Sequence, residues 1–493
     1  MRKNAWIKLT SLFLLLAMLA SAIACAETGS VEETTAPAQT EANVDEPVNT
    51  EAETTAINAE NILGIRDYTG ETLTFFSRIY NGPWKSDISA EDINGTVLND
   101  AIYKRNSTIS EKYGITIAEQ ESGNITFRDQ VGNRISSGDT SYQVLYMGLA
   151  DAAFASQSGY LLDLTEIENI NLEGQWWTQS SNKAWSIGGR QYIATGAITT
   201  TDDRAIRTMF FNKDMIEALQ LETIYNLVDR NEWVYEKFFE YVEVAKRDDG
   251  DGVPTLNDVY GASAQVTFGF MMTMASGEML VQKDADDLPY LAVTDNPRFI
   301  DVVNYLTEKI AGNDGVYLGA DQDIRDLFGN GNSLFWAEVL NHAETLRLNY
   351  DLNFGIIPMP KYTADQENYH QYTTGYCNTV ICFPTTTKDN ELDFASFMVE
   401  AMAIESVETV VPAYYDVCLK GRYVDDAESA AMLDIITTSV SSDYAEILSW
   451  GGFKTTVQDA ISAGNSITTI IKGNAPMTKK AIKNSIETFV KLP

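Results

Sequence analysis

Histidine is nearly absent from this chain: His342 and His370 are the only 2 among 493 residues, and neither has a Cys or second His at metal-ligand spacing. A zinc site and a Ser-His catalytic triad are therefore disfavoured. Also missing are a Gly-x4-Gly-Lys-Ser/Thr phosphate cradle, a Gly-x-Ser-x-Gly nucleophile elbow and a His-Glu-x-x-His run. Cysteine is scarce too: beyond Cys25 stand Cys377, Cys382 and Cys418, an odd number that does not imply a disulfide framework. Cys377 and Cys382 share a strand-like run and point to opposite faces, so core packing is the better reading. Basic residues number 35 against 70 acidic ones, a formal charge of −35 that argues against nucleic acid or anionic lipid as the partner. The one long apolar run of the N-terminus, Leu12 to Ala20, is too short to span a bilayer.

That run is preceded by Arg2, Lys3 and Lys8 and followed by Ser21, Ala22 and Ala24, the layout of a secretory signal. Cys25 directly after the small residues resembles the bacterial lipobox, in which the thiol takes a diacylglyceryl group and becomes the mature N-terminus. Ala22 stands where Leu is usual. An ordinary secretory signal with an incidental Cys is the competing reading. Residues 26–58 are rich in Thr, Glu, Ala and Pro and hold no Lys or Arg, so they are expected to be a disordered spacer. The rest of the chain is too long for one core and suits two lobes.

Leu73-Thr-Phe-Phe76 reads as a first strand, and Asn99 to Tyr113 as a helix closed by Gly114. Ile115-Thr-Ile117 and Tyr142 to Met147 read as further strands, the second of buried parallel type, with Ala150 to Tyr160 helical. Strand and helix alternate, which indicates an α/β lobe whose ligand edge is the carboxyl end of its strands. The loops after Phe76 and Met147 are thus expected to face the ligand. Tyr192 to Thr201, with its central Gly196, reads as a first crossing between lobes. Beyond it come a strand at Thr208 to Phe211, helices at Trp233 to Val244 and Asn296 to Ile310, and a strand at Ser333 to Ala337. Phe354 to Pro360 and Asn378 to Phe383 read as strands, and the remainder is mainly helical.

Aromatic residues in expected loops carry the binding reading: Tyr80, Trp84, Trp176, Trp177, Trp185, Trp336 and Trp450. A flat apolar face with polar neighbours suits a sugar ring, whose C–H faces are apolar and whose rim hydroxyls need donors and acceptors. Trp84, Trp336 and Trp450 sit near element ends, while Asp87, Asp151, Asp202, Glu338 and Asn378 are candidate hydroxyl partners. Two carboxylates suffice for a glycosidase, and sequence does not show which acids meet, so a surface glycan-active enzyme is an alternative. The run Arg247-Asp-Asp-Gly-Asp-Gly252 puts Asp249, Asp251, Thr255 and Asp258 at the ligand positions of an EF-hand-like calcium loop. Arg247 then occupies the first ligand position and cannot coordinate, so a solvated acidic turn competes. No cofactor is otherwise required.

The chain resembles extracellular solute-binding proteins of the family 1 type, the capture components of ABC importers. The resemblance is carried by Asn94-Gly-Thr-Val-Leu-Asn-Asp-Ala-Ile-Tyr-Lys-Arg-Asn106, Lys112-Tyr-Gly-Ile-Thr-Ile117, Phe211-Asn-Lys-Asp214, Phe354-Gly-Ile-Ile-Pro-Met-Pro-Lys-Tyr362, and Pro412-Ala-Tyr-Tyr415 with Leu419-Lys-Gly421. It implies an α/β fold of two lobes, each a mostly parallel sheet flanked by helices, with a hinge between them. The implied organisation is a signal at 1–24, a lipid-anchored acidic linker at 25–60, a first lobe at 61–198 and 353–410, and a second at 199–352 and 411–493. Crossings are expected near Gly196, Asn353 and Val411. Met147 stands where some sugar binders place a stacking aromatic, and Trp336 matches a family platform. The implied function is capture of a carbohydrate, an oligosaccharide, and its delivery to a membrane permease by a monomeric, non-enzymatic protein. It would sit on the extracytoplasmic face of the cell membrane, held only by the lipid on Cys25. A binding protein for a peptide or other polar solute and an adhesion lipoprotein are the alternatives.

Overall fold

Leu73-Thr-Phe-Phe76 lies inside strand β1 (Thr72–Arg78), and its alternate side chains enter different cores, Leu73 and Phe75 one, Phe76 the other. A strand buried on both faces needs apolar residues without a polar side, which is how this run reads. The computed structural model describes residues 57–78, 86–122, 127–375, 377–424 and 426–491, all within one compact unit. After β1 come β2 (Thr116–Ser122), β3 (Val144–Gly148), β4 (Arg207–Asn212) and β5 (Tyr260–Ala264). The hairpin β6 (Val281–Lys283) and β7 (Pro289–Leu291) precedes β8 (Val316–Leu318), β9 (Ser333–Val339) and β10 (Phe354–Ile357). The short β11 (Gln371–Tyr372), then β12 (Thr379–Cys382) and β13 (Val440–Ser441), complete the set.

One sheet has the order β12-β3-β1-β2 and the other β10-β4-β9-β5-β8. In the first, β1 is parallel to both β2 and β3, while β12 runs antiparallel to β3. The second is less parallel than expected: β5 is parallel to β8 and β9, but β4 is antiparallel to β9 and to β10. β10 also moves a lobe boundary. Phe354 pairs with Asn212 and Ile357 with Met209, so residues 354–357, expected in the first lobe, belong to the second sheet. Residues 57–60, expected to belong to the linker, are tied to the folded body, because the Asn58 side chain caps the helix Ala59–Leu63 and Ala59 N–H donates to Glu405. The linker upstream, the signal and Cys25 lie outside the described residues. No helix among the described residues is long and apolar enough to cross a membrane.

The helix Val97–Tyr113 covers the first sheet with Ile102, Ile109 and Tyr113, and ends at Gly114, whose φ of 70° is left-handed. Glycine is needed there twice over, since a Cβ would also lie 2.6 Å from Thr69 Oγ1. The longer helix Asp389–Val407 is buried through most of its length and carries a carboxylate, Glu400, into that core. Glu400 accepts the indole N–H of Trp176 at 2.8 Å, that of Trp177 at 3.1 Å and the backbone N–H of Asn171 at 3.1 Å. Those two indoles, candidates for ligand contact from sequence, are thus tied into the interior. The C-terminal helices Phe453–Ala463 and Ile467–Lys491 pack on the helix Pro297–Ile310, whose Asn296 caps it and whose Pro297 opens it.

Burial pushes the Glu400 carboxyl up to about 7, against the pull of its three donors. An unfolded glutamate titrates near ~4.3, so the folded protein holds this proton between those values. Stability from Glu400 is accordingly full below pH ~4 and is lost as pH rises through about 7, by up to ~3 kcal/mol at ~1.4 kcal/mol per unit. Urea titrations from pH ~5 to ~8 should show that decline, and Glu400→Gln, which cannot titrate, should flatten it while lowering stability at acid pH.

Candidate functional site

Between the two sheets the chain makes three passages, and their hydrogen bonds locate the hinge. The first begins at Gly196, where a Cβ would lie 2.2 Å from the Trp176 carbonyl oxygen, so only glycine allows the approach. Its next residues are held by the buried Asp87 carboxylate, which accepts from Thr199 Oγ1 at 3.0 Å, Thr200 N at 2.6 Å, Thr200 Oγ1 at 2.8 Å and Tyr146 Oη at 2.6 Å. Asp87 is therefore a structural staple. The second passage, residues 358–378, lies beside the first: Thr374 N donates to Ala205 O at 3.2 Å and Thr379 N to Thr201 Oγ1 at 3.0 Å. It starts after Ile357 and not near Asn353, because β10 is bonded into the second sheet. The third leaves the helix Asp389–Val407 and enters the π-helix Ala413–Tyr423, whose Tyr414, Cys418 and Leu419 join the core under Phe210 and Trp336.

Parallel strands of both sheets bring their carboxyl ends to this hinge. β1 ends at Arg78, and β3 runs into the helix Leu149–Gln157, which carries Asp151 in its first turn. Asp151 lies 2.9 Å from Arg128 and 3.9 Å from Arg78. In the second sheet, β5 is followed by Gln265, and β9 carries Glu338 near its end. Glu338 pairs with Arg207 through one carboxylate oxygen and accepts from Gln265 Nε2 at 2.8 Å through the other. Gln265 Nε2 also lies 2.5 Å from Asp321. Cys377 lies on the second passage, where burial pushes its thiol up to about 12 against the pull of Arg207.

Several buried polar atoms here lack partners among the described residues: Arg207 Nε, His342 Nδ1 and both amide atoms of Asn378. Burial, aided by Arg325 and Arg207, pushes His342 down to about 4, so its ring is neutral at ordinary pH. Burial also raises the Glu338 carboxyl while Arg207 opposes it. Neutral imidazole, amide and paired carboxylate together offer donors and acceptors without a large net charge, which suits a hydroxyl-rich solute.

Of the described residues expected at the site, Asp151, Glu338 and Asn378 border this region, and Met147, Asp202, Trp336 and Trp450 do not. Trp336 is only 1% exposed, its indole packed between Phe210 and Phe328 with centroids 5.4 and 5.7 Å away and His342 against it. No face is left for a sugar ring, because the alternation of side chains along β9 turns Trp336 to a helix-covered side of the sheet. Met147 is fully buried in the core on one face of β3. Trp450 donates its indole N–H to Ser485 at 2.8 Å inside the C-terminal helices. Asp202 is turned to Thr178 Oγ1 at 2.9 Å, and burial together with Asp203 raises its carboxyl. Tyr80 and Trp84 lie outside the described residues. In the acidic loop, carboxylate oxygens of Asp248, Asp249 and Asp251 lie within 4.8 Å of one another and are exposed. Asp258 is not with them: it accepts from Asp249 N at 2.9 Å and Thr255 N at 2.7 Å, which closes the turn.

Arg78, Arg207, Gln265 and Cys377 are the site residues that sequence reasoning missed. Arg78 had a signal, since it ends a strand whose following loop was expected to face the ligand. Gln265 had none, because Tyr260-Gly-Ala-Ser-Ala264 lacks the apolar run that marks a strand. Trp336→Ala should remove a large core side chain and cost ~3–5 kcal/mol in urea denaturation, while Trp336→Phe should keep ligand affinity within about twofold.

A family profile described as bacterial extracellular solute-binding protein matches residues 107–412. No curated protein matches the chain. Among solved structures, the chain is similar to UgpB from Mycobacterium tuberculosis in complex with glycerophosphocholine, at 15% identity and TM-score 0.55, over 84% of this chain and 99% of that one. A cyclo/maltodextrin-binding protein complexed with maltotetraose matches at 12% identity and TM-score 0.54, over 85% and 96%. The ABC substrate-binding protein Lmo0181 from Listeria monocytogenes, in complex with cycloalternan, matches at 11% identity and TM-score 0.51, over 85% and 98%.

Proposed function

The chain belongs to the bacterial extracellular solute-binding proteins, and on that premise we propose that it captures a carbohydrate between its lobes and delivers it to the permease of an ABC importer. The observation that carries this reading is a braced carboxylate at the strand ends of each sheet, Asp151 with Arg128 and Arg78 in the first and Glu338 with Arg207 and Gln265 in the second. Ligands of open α/β sheets bind beyond the carboxyl ends of the strands, and here two such edges meet at a hinge. Asp151, Glu338, Asn378, Arg78, Arg207 and Gln265 are the proposed hydroxyl partners. Trp84, which follows β1 in the sequence, is the proposed ring platform in place of Trp336. A cavity of about 230 Å³ between the helix Val97–Tyr113 and the π-helix, lined by Leu98, Asn99, Arg204, Glu344 and Tyr414, leaves the lobes room to rotate. Carbohydrates bound to two of the similar folds support the ligand class, and capture without turnover follows from it. We place the protein on the extracytoplasmic face of the membrane as a monomer anchored through Cys25.

The charged residues at the cleft favour a second reading, a polar solute with its own charge, such as the one bound to UgpB. A panel of maltooligosaccharides, other glycans and glycerophosphodiesters, screened by melting shift and calorimetry, separates the two. A ligand held only by the folded state at about 100 times its Kd adds ~2.7 kcal/mol of stability. Binding should proceed with no hydrolysis product. Gln265→Ala and Asp151→Asn, both at partly exposed positions, should each weaken the ligand ~5- to 30-fold with little change in Tm. Unchanged affinity in both would move the site elsewhere.

A further inference from the structure

The helix Ile467–Lys491 carries Lys472, Lys479, Lys480, Lys483 and Lys491 against a single acid, Glu487, in a chain with twice as many acids as bases. All five lysines are exposed. Lys483 lies 3.8 Å from Glu487, and the other four have no ion pair among the described residues. Elsewhere the lysines are mostly matched, as at Lys112, Lys213, Lys246, Lys283 and Lys454. Spacings of seven and four place Lys472, Lys479 and Lys483 in one row, which flanks the buried stripe of Ile471, Ala475, Thr478, Ile482 and Phe489.

This face borders an apolar groove of about 380 Å³, lined by Pro289, Tyr290, Leu291, Ile482 and Ile486, with Lys479 and Lys483 at its rim. Asp295 is the one acid in its lining. Beside it Tyr290 is 46% exposed, and Val490, seven residues after Lys483 and so on the same face of the helix, is 57% exposed. Lysines standing over exposed apolar side chains form the interfacial pattern of a membrane-docking helix. A soluble polyanion has no use for the groove, and a purely apolar partner has no use for the lysines.

We infer that this helix face and groove dock on an anionic phospholipid bilayer, the lysines meeting headgroup phosphates and Tyr290 and its neighbours meeting the acyl boundary. The negative charge of the whole does not forbid it. At physiological salt the screening length is ~8 Å, so acids elsewhere on the body act weakly on a surface touching the stripe. The orientation that results is fixed by this face and is independent of any lipid on Cys25.

The test uses the full chain bearing Cys25→Ser, so that no acyl chain can attach. Co-sedimentation is measured with phosphatidylcholine vesicles containing roughly a third phosphatidylglycerol and with phosphatidylcholine alone, at ~0.05 and ~0.5 M NaCl. The anionic vesicles should bind at least about tenfold more protein, and high salt should abolish the difference. Lys472→Glu, Lys479→Glu and Lys483→Glu together should lower binding tenfold or more with Tm unchanged, and the corresponding Gln triple variant should give a smaller loss. Reversing Lys104 and Lys388 instead should change nothing. Equal binding to both vesicle types, or full binding by the folded Glu variant, overturns the proposal. So does capture by soluble polyphosphate without any vesicle binding.

Discussion

Two buried charges, the Asp87 carboxylate and the Arg105 guanidinium, hold the part of the fold on which the rest depends. Each is 1% exposed, and a buried charge without a complete set of partners is costly enough to unfold a region. Arg105 donates to the backbone oxygens of Asp87, Ile88 and Ile198 and to Ser406 Oγ, while Asp87 accepts from Tyr146, Thr199 and Thr200. The knot thus ties the loop after β1, the first passage and the last turn of the helix that leads to the third. Thr201 then binds Thr379 and brings in the second passage. These passages therefore share one polar network.

How much of this fold is legible in the sequence depends on how each element is buried. β1, β3, β4 and β9 have apolar residues on both faces, so unbroken apolar runs mark them, and Pro297 after Asn296 marks a helix start. β5 and β8 are built from small or partly exposed residues, and nothing in Tyr260-Gly-Ala-Ser-Ala264 separates it from a loop. β10 was legible as a strand but not as a member of the second sheet, since pairing is a long-range choice that apolar patterning does not encode. The hinge network was invisible for a similar reason. Thr and Asp in Ala197 to Asp203 do not announce their partners, which for Thr199 and Asp87 lie over 100 positions apart.

The tryptophans show how a reasonable site reading goes astray. An indole is large and apolar but has an N–H that must be bonded when buried, and the fold satisfies that need in its interior for most of them. Trp176 and Trp177 donate to Glu400, Trp185 to Ser442, Trp233 to the Pro358 carbonyl and Trp450 to Ser485. These rings organise lobes. Position along a strand matters as much as residue type. Trp336 and Glu338 are two apart on β9 and so share a face, yet Trp336 lies under the aromatic rings of Phe210 and Phe328 while Glu338, nearer the strand end, reaches Gln265 and Arg207.

On the proposed reading, recognition rests on pre-positioned polar groups more than on an aromatic sandwich among the described residues. Glu338 is bonded to Arg207 and Gln265, so the protein's own side chains set its orientation. A carboxylate held by an arginine keeps accepting capacity for one more donor, and a sugar hydroxyl supplies that donor at little cost in side-chain entropy. Partners on the first lobe, Asp151 with Arg128 and Arg78, are held in the same way. Each lobe thus offers its own braced pair. A solute that bridges both gains its full set of hydrogen bonds only when the lobes close, which makes closure itself the selective step.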